Sequence, residues 1–183
     1  MIYLQTERLQ LRRLTLDDVD NLVTLNTDDG VMRFLARTPP TREQVVQEVA
    51  DLVAVSETYP EHGRFIAADR EGRFVGWFEL SVKSDGPEAP ELGYRLRNGA
   101  WGQGLATEGS RALIDHAFTN LGAERITAET MFVNTGSRRV MEKSGLRYVK
   151  TFHVDFDDPL PGTEHGEVLY EITRKEWLTQ RQV

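Results

Sequence analysis

Residues Glu91 to Thr107 read Glu-Leu-Gly-Tyr-Arg-Leu-Arg-Asn-Gly-Ala-Trp-Gly-Gln-Gly-Leu-Ala-Thr. A short alternating strand runs into a glycine-rich turn, and the turn opens directly into a helix. That order aims free backbone N–H groups and the positive end of a helix dipole at one point, and both favour a phosphate. Two common phosphate loops do not fit. No Gly-Lys-Ser/Thr follows, so the turn is not a Walker A loop. A dinucleotide fingerprint wants a glycine where Thr107 stands and its first glycine directly after the strand, whereas residues 97–100 intervene.

A second motif, Asn134-Thr-Gly-Ser137, follows a strand at 125–133 and enters a short helix closed by Gly145. Alone, each motif is an ordinary helix start. If strands 91–96 and 125–133 are parallel neighbours, the two helix starts share one sheet edge and make a ligand crevice.

The remaining elements set the frame. Strands are expected at 8–14, 64–69, 74–82, 148–154 and 168–173. Phe74, Phe78, Leu80 and Val82 fall on one face of the third of these. A helix starts at Thr15-Leu-Asp-Asp18. A capping box, Thr41-Arg-Glu-Gln44, opens another that ends near Glu57. Residues 105–121 form a third helix, and 27–40, 84–90 and 155–166 read as irregular. The order predicts one α+β domain over 1–183, core about 8–173. Its sheet is mostly antiparallel, of about seven strands, with helices on both faces. Only 91–133 has the layout of a parallel crossover. Trp77, Tyr94, Phe118 and Phe132 are expected in the core.

Composition excludes several functions. The chain has no cysteine, which removes disulfides and a covalent acyl-cysteine route. The four histidines are scattered without metal-ligand spacing, so no metal is expected. A net charge of −7 argues against nucleic acid and suits cationic partners such as amines. No apolar run approaches the roughly 20 residues of a membrane span. The N-terminus lacks signal-peptide character, so a cytoplasmic protein is expected.

In order, the chain carries Thr6-Glu-Arg-Leu-Gln-Leu-Arg12, Glu91-Leu-Gly-Tyr94, Trp101-Gly-Gln-Gly-Leu-Ala-Thr-Glu108 and Asn134-x-x-Ser-x-x-Val-Met-Glu-Lys-x-Gly145. This ordered set resembles the GNAT superfamily of N-acetyltransferases, and within it the RimJ/RimL-like, ribosomal-protein alanine acetyltransferase branch. The resemblance runs from Thr6 to about Trp177. It implies the GNAT fold, with a splayed parallel strand pair that binds acetyl-CoA. Transfer to a primary amine would go by direct attack in a ternary complex. The acceptor is either a protein α-amine or a small-molecule amine, and the branch suggests a homodimer.

On this resemblance the CoA pyrophosphate rests on the N–H groups of Gln103, Gly104, Leu105, Ala106 and Thr107, framed by Trp101 and Gly102. The pantetheine arm pairs with the strand end at Tyr94 and Leu96. Asn134 and Ser137 face the arm and its sulfur. Arg138 either adds charge near the phosphates or belongs to a solvated helix face.

Catalysis needs a neutral amine, an oxyanion donor and a proton for the leaving thiolate. Glu91 is the expected base, with Glu79, Asp155 or a water relay in reserve. The oxyanion donor is expected to be a backbone N–H near Tyr94 to Leu96. Many superfamily members carry a tyrosine acid seven residues after the asparagine, where this chain has Met141. In the RimL-like branch a serine in the place of Ser137 serves, so Ser137 inherits the role. Asp28, Asp29, Phe34 and the 155–166 loop are expected at the acceptor mouth. Met141 also leaves open a CoA-binding regulatory module without catalysis, and a Rossmann-type nucleotide binder is a further reading.

Overall fold

The computed structural model describes residues 1–182. Among these residues eight strands form one sheet: β1 (Ile2–Gln5), β2 (Leu9–Arg13), β3 (Gly63–Asp69), β4 (Phe74–Lys83), β5 (Gly86–Leu96), β6 (Arg125–Met131), β7 (Arg147–Phe152) and β8 (Glu167–Thr173). They neighbour in the order β1-β2-β3-β4-β5-β6-β8-β7. Every pair is antiparallel except β5 with β6. The helices are α1 (Val19–Asn26), α2 (Asp29–Met32), α3 (Arg42–Thr58), α4 (Leu105–Asn120), α5 (Thr135–Lys143) and α6 (Arg174–Gln180).

The expected α+β sheet is present with one strand more than about seven. The addition is β1, an edge strand with no fully buried residue and hence no apolar alternation to read. β5 begins at Gly86 rather than 91, because Lys83 pairs with Gly86 in a tight hairpin despite the prolines that follow. Helix α6 was not expected, yet its signal is present. Thr173 and Glu176 cap each other at its start.

Two cores flank the sheet. On one face α4 and α5 close over Phe78, Leu92, Leu96, Ile126, Val168 and Tyr170. On the other, α1 and α3 bury Leu22, Leu25, Val45 and Val49 against Ile66 and Trp77. Each large apolar side chain buried in this way contributes about 1.5–3 kcal/mol. Phe74 does not share a face with Phe78 and Leu80; it packs against the Trp77 side. Register shifts by one residue between Ala67 and Ala68, and that bulge reverses the pleat. Gly76 sits at the bulge because a Cβ there would stand 2.3 Å from the Arg95 carbonyl oxygen.

Candidate active site

β5 and β6 share a single register pair, Glu91 with Thr127, although β5 continues to Leu96 and β6 to Met131. Beyond that pair the strands diverge, and their facing backbone edges are left for another partner. Helices α4 and α5 begin just past the carboxyl ends of these strands. The crevice inferred from the two motifs is therefore formed by the fold.

On the α4 side, residues Asn98–Ala100 form a 3-10 turn and Gly102 and Gly104 follow with φ of +71° and +78°. A Cβ at Gly102 would meet nothing within 4 Å, so glycine answers the backbone there and the space beyond is open. Gly104 is the N-cap of α4 and supplies no side-chain cap. The first-turn N–H groups are thus available to an anion. Trp101 is 49 % exposed and its Nε1 donates to the Leu96 carbonyl at 2.9 Å. Gln103 Nε2 donates to the Gly99 carbonyl at 2.8 Å, so this side chain stiffens the turn.

The turn is pinned from the far end of the chain. Glu108, in the first turn of α4, accepts from Thr6 Oγ1 at 2.6 Å, from the Arg8 amide at 2.8 Å and from Arg8 Nε at 2.6 Å. Arg8 Nη1 also donates to the Gln103 carbonyl at 2.8 Å. Burial alone would raise the Glu108 carboxyl, but these donors outweigh it and hold its pKa below the usual range. Thr6, Arg8 and Glu108 stood in the quoted motifs, and nothing in the sequence joined them.

On the α5 side, Asn134 Oδ1 accepts from the Ser137 amide at 3.2 Å, and Asn134 Nδ2 donates to Thr130 Oγ1 at 3.1 Å. Asn134 is thus the helix cap, which leaves the Ser137 hydroxyl free of that duty. The Ser137 hydroxyl lies 2.9 Å from Tyr94 Oη, which also donates to the Ser137 carbonyl at 3.0 Å. Burial raises the Tyr94 pKa, so the phenol stays neutral. Met141 is core, 2 % exposed.

Arg138 is anchored within the protein rather than lying on a freely solvated helix face. Its Nε donates to Tyr170 Oη at 3.1 Å, its Nη1 to the Phe132 carbonyl at 3.1 Å, and the guanidinium lies over the Phe132 ring. Phe132 in turn is 38 % exposed rather than core, while Trp77 and Phe118 are buried.

The carboxylates sort by partner. Glu91 stands at the vertex of the splay, partly exposed, with Lys83 Nζ 3.5 Å from its Oε1. Glu79 is committed to Arg64, which donates from Nε at 3.0 Å and Nη2 at 2.9 Å, and both side chains are nearly buried. Glu129, on β6 two residues past the pair, was not singled out from sequence. Burial first and Glu91 second raise its pKa. Arg95 reaches α1, with its Nη1 donating to Asn26 Oδ1 at 2.6 Å. Burial, then Arg64, lowers its pKa to about 10.

Two clefts open beyond β6. One, of about 420 Å³, is lined by Arg33, Phe34, Val133, Pro161, Gly162 and His165. The other, of about 480 Å³, shares Pro161 and includes Asp155 and Phe156. Arg37 ties their walls, meeting Asp158 at 2.9 Å and the Pro159 carbonyl at 2.6 Å. Asp28 caps α2 through the amides of Gly30 and Val31, and Asp29 is exposed in its first turn.

A family model described as an acetyltransferase (GNAT) domain matches residues 8–147. The chain belongs to the GNAT acetyltransferase family. It is 38 % identical to the FsC-acetyl coenzyme A-N(2)-transacetylase of Aspergillus fumigatus, over 96 % of this chain and 77 % of that protein. Among solved structures, RimL, the ribosomal L7/L12 alpha-N-protein acetyltransferase in complex with coenzyme A, superposes with a TM-score of 0.80 at 16 % identity, covering 94 % of this chain and 98 % of RimL. Spermidine N-acetyltransferase from Vibrio cholerae, in complex with CoA and spermine, gives 0.77 at 19 % identity over 94 % of this chain and 99 % of that one. At those identities the likeness is one of fold. Among the described residues of this GNAT chain, no helix is long and apolar enough to cross a membrane.

Proposed function

We propose that this GNAT protein moves the acetyl group of acetyl-CoA to the primary amine of a small molecule, by direct attack in a ternary complex. The observation that carries the reading is the splay of β5 from β6 with two helix starts at its open end. Pyrophosphate fits the N–H groups of Gln103 to Thr107, where Gly102 leaves open space. Pantetheine fits the free edge at Tyr94 to Leu96. The absence of cysteine agrees with direct attack.

The choice of a small-molecule acceptor rests on the relative at 38 % identity, whose name specifies an N(2) transacetylase. The RimJ/RimL-like branch, and with it a protein α-amine, has only the 16 % identity of RimL behind it. The amine would enter through the cleft of Phe34 and Pro161. Glu91 takes its proton, directly or through water, and Ser137 protonates the leaving thiolate. The inert CoA-binding module rested on Met141; the hydroxyl of Ser137, with Tyr94 beside it, supplies a donor that Met141 does not.

Thiol release from acetyl-CoA should be followed with α-amino acid esters, polyamines, aminoglycosides and basic peptides with free N-termini. Release with a small amine supports the reading. Release with peptides alone would move it to the RimL-like branch. CoA binding with no release from any amine would favour the inert module.

A further inference from the structure

From β5, the Tyr94 side chain reaches across the open splay to the start of α5. We infer that Tyr94 is a positioning residue that switches the Ser137 hydroxyl between a held and a donating state. The inference rests on Ser137 acting as the acid of the proposed transfer.

Tyr94 has one hydroxyl proton and two Ser137 oxygens within reach, the carbonyl at 3.0 Å and Oγ at 2.9 Å. While the phenol donates to the carbonyl, its lone pair accepts the Ser137 proton and turns that proton away from the sulfur. When the phenol rotates to donate to Oγ, the Ser137 proton is released towards the thiolate. Both acceptors are at equal range, so the change needs only a hydroxyl rotation. In the donating state the phenol also stabilises negative charge on Oγ as the proton leaves.

The proton balance is simple. The Oγ–H bond breaks and an S–H bond forms on CoA as the thioester C–S bond breaks. Oγ recovers a proton from water, matching the one the amine surrenders through Glu91. The buried phenol keeps its own proton throughout. Its ring stays in place by packing, with Phe78 tilted against it at 6.4 Å between centroids. A purely structural brace would need no hydroxyl on Ser137, because the Ser137 carbonyl would suffice.

The test is a double-mutant cycle of Tyr94→Phe and Ser137→Ala, run with the most active amine of the panel above. Turnover, acetyl-CoA Kd by calorimetry and Tm are read for each variant. Ser137→Ala should lower kcat about 10²-fold. Tyr94→Phe should lower kcat about 10-fold with CoA Kd nearly unchanged. In the Ser137→Ala background Tyr94→Phe should cost nothing more. Equal loss in both backgrounds would overturn the inference, as would full activity of Tyr94→Phe beside an impaired Ser137→Ala. A parallel fall of Tm, CoA affinity and kcat in Tyr94→Phe would reduce Tyr94 to a brace and also overturn it. Full activity of Ser137→Ala would remove the acid assignment itself, and this inference with it.

Discussion

The two sides of the splay are built from different materials. On the side proposed for CoA the groups that face the crevice are mostly backbone, and distant side chains fix them. Gly102 and Gly104 shape the turn, Asn134 caps α5, and Thr6 and Arg8 grip Glu108. On the side proposed for the acceptor the lining is side chain, carried on irregular segments that Arg37 and Asp158 tie together. A co-substrate common to a family can be held by backbone geometry that small motifs encode. An acceptor particular to one member is met by loop side chains.

Perturbing the CoA side should weaken acetyl-CoA with every amine, whereas perturbing the acceptor side should change one amine against another. Gly104→Val carries the largest expected effect. A β-branched residue at φ +78° is strained by about 1–3 kcal/mol, and its Cβ would stand 3.6 Å from Arg8 Nη2, so its methyls crowd the guanidinium that grips the turn. Calorimetry should show CoA affinity reduced by at least roughly 10²-fold; an unchanged Kd would remove the glycine turn from the site.

Glu108→Gln comes next, with about a 10-fold loss of CoA affinity, since it removes the charge that holds Arg8 against the Gln103 carbonyl. Its pH dependence has a defined sign. The native carboxyl titrates below its unfolded value of about 4.3. Its contribution is therefore fully present above that value and is lost as pH falls through the lower, native one. Thermal melts from pH 6 down to pH 3 should fall less steeply for Glu108→Gln than for the wild type. Parallel curves would contradict the pin.

Phe34→Ala should raise the KM of the accepted amine about 5-fold and leave that of acetyl-CoA alone. Equal changes in both would dissolve the distinction between the two sides. Arg138→Lys should have the smallest effect on binding. Its guanidinium is engaged with Tyr170 and Phe132, so acetyl-CoA KM should move less than about 2-fold. Stability should drop by about 1 kcal/mol, read from denaturant unfolding.

The same division explains what was legible in the sequence. Local signals were readable. The Thr41–Gln44 capping box opens α3, and Gly145 closes α5 at φ +95° with Leu146 donating back to the Met141 carbonyl at 3.1 Å. The strand–turn–helix of 91–107 folds as its residues dictate. Contacts across the chain were not readable. Arg64 claims Glu79, Tyr170 claims Arg138, and Tyr94 meets Ser137 only because β5 and α5 flank one crevice. The bulge at Gly76 moved Phe74 to the other face, since one inserted residue leaves no mark in an otherwise regular alternation. The start of α6 is legible in the Thr173–Glu176 capping pair, whereas the seven residues of the helix are too few to show a helical period.

The most direct test of the central claim is thiol release from acetyl-CoA with the amine panel, measured side by side for the wild type and Gly104→Val. The account predicts release with a small amine by the wild type and none by the variant at the same acetyl-CoA concentration. Equal release by both, or CoA binding by the wild type without release from any amine, would contradict it.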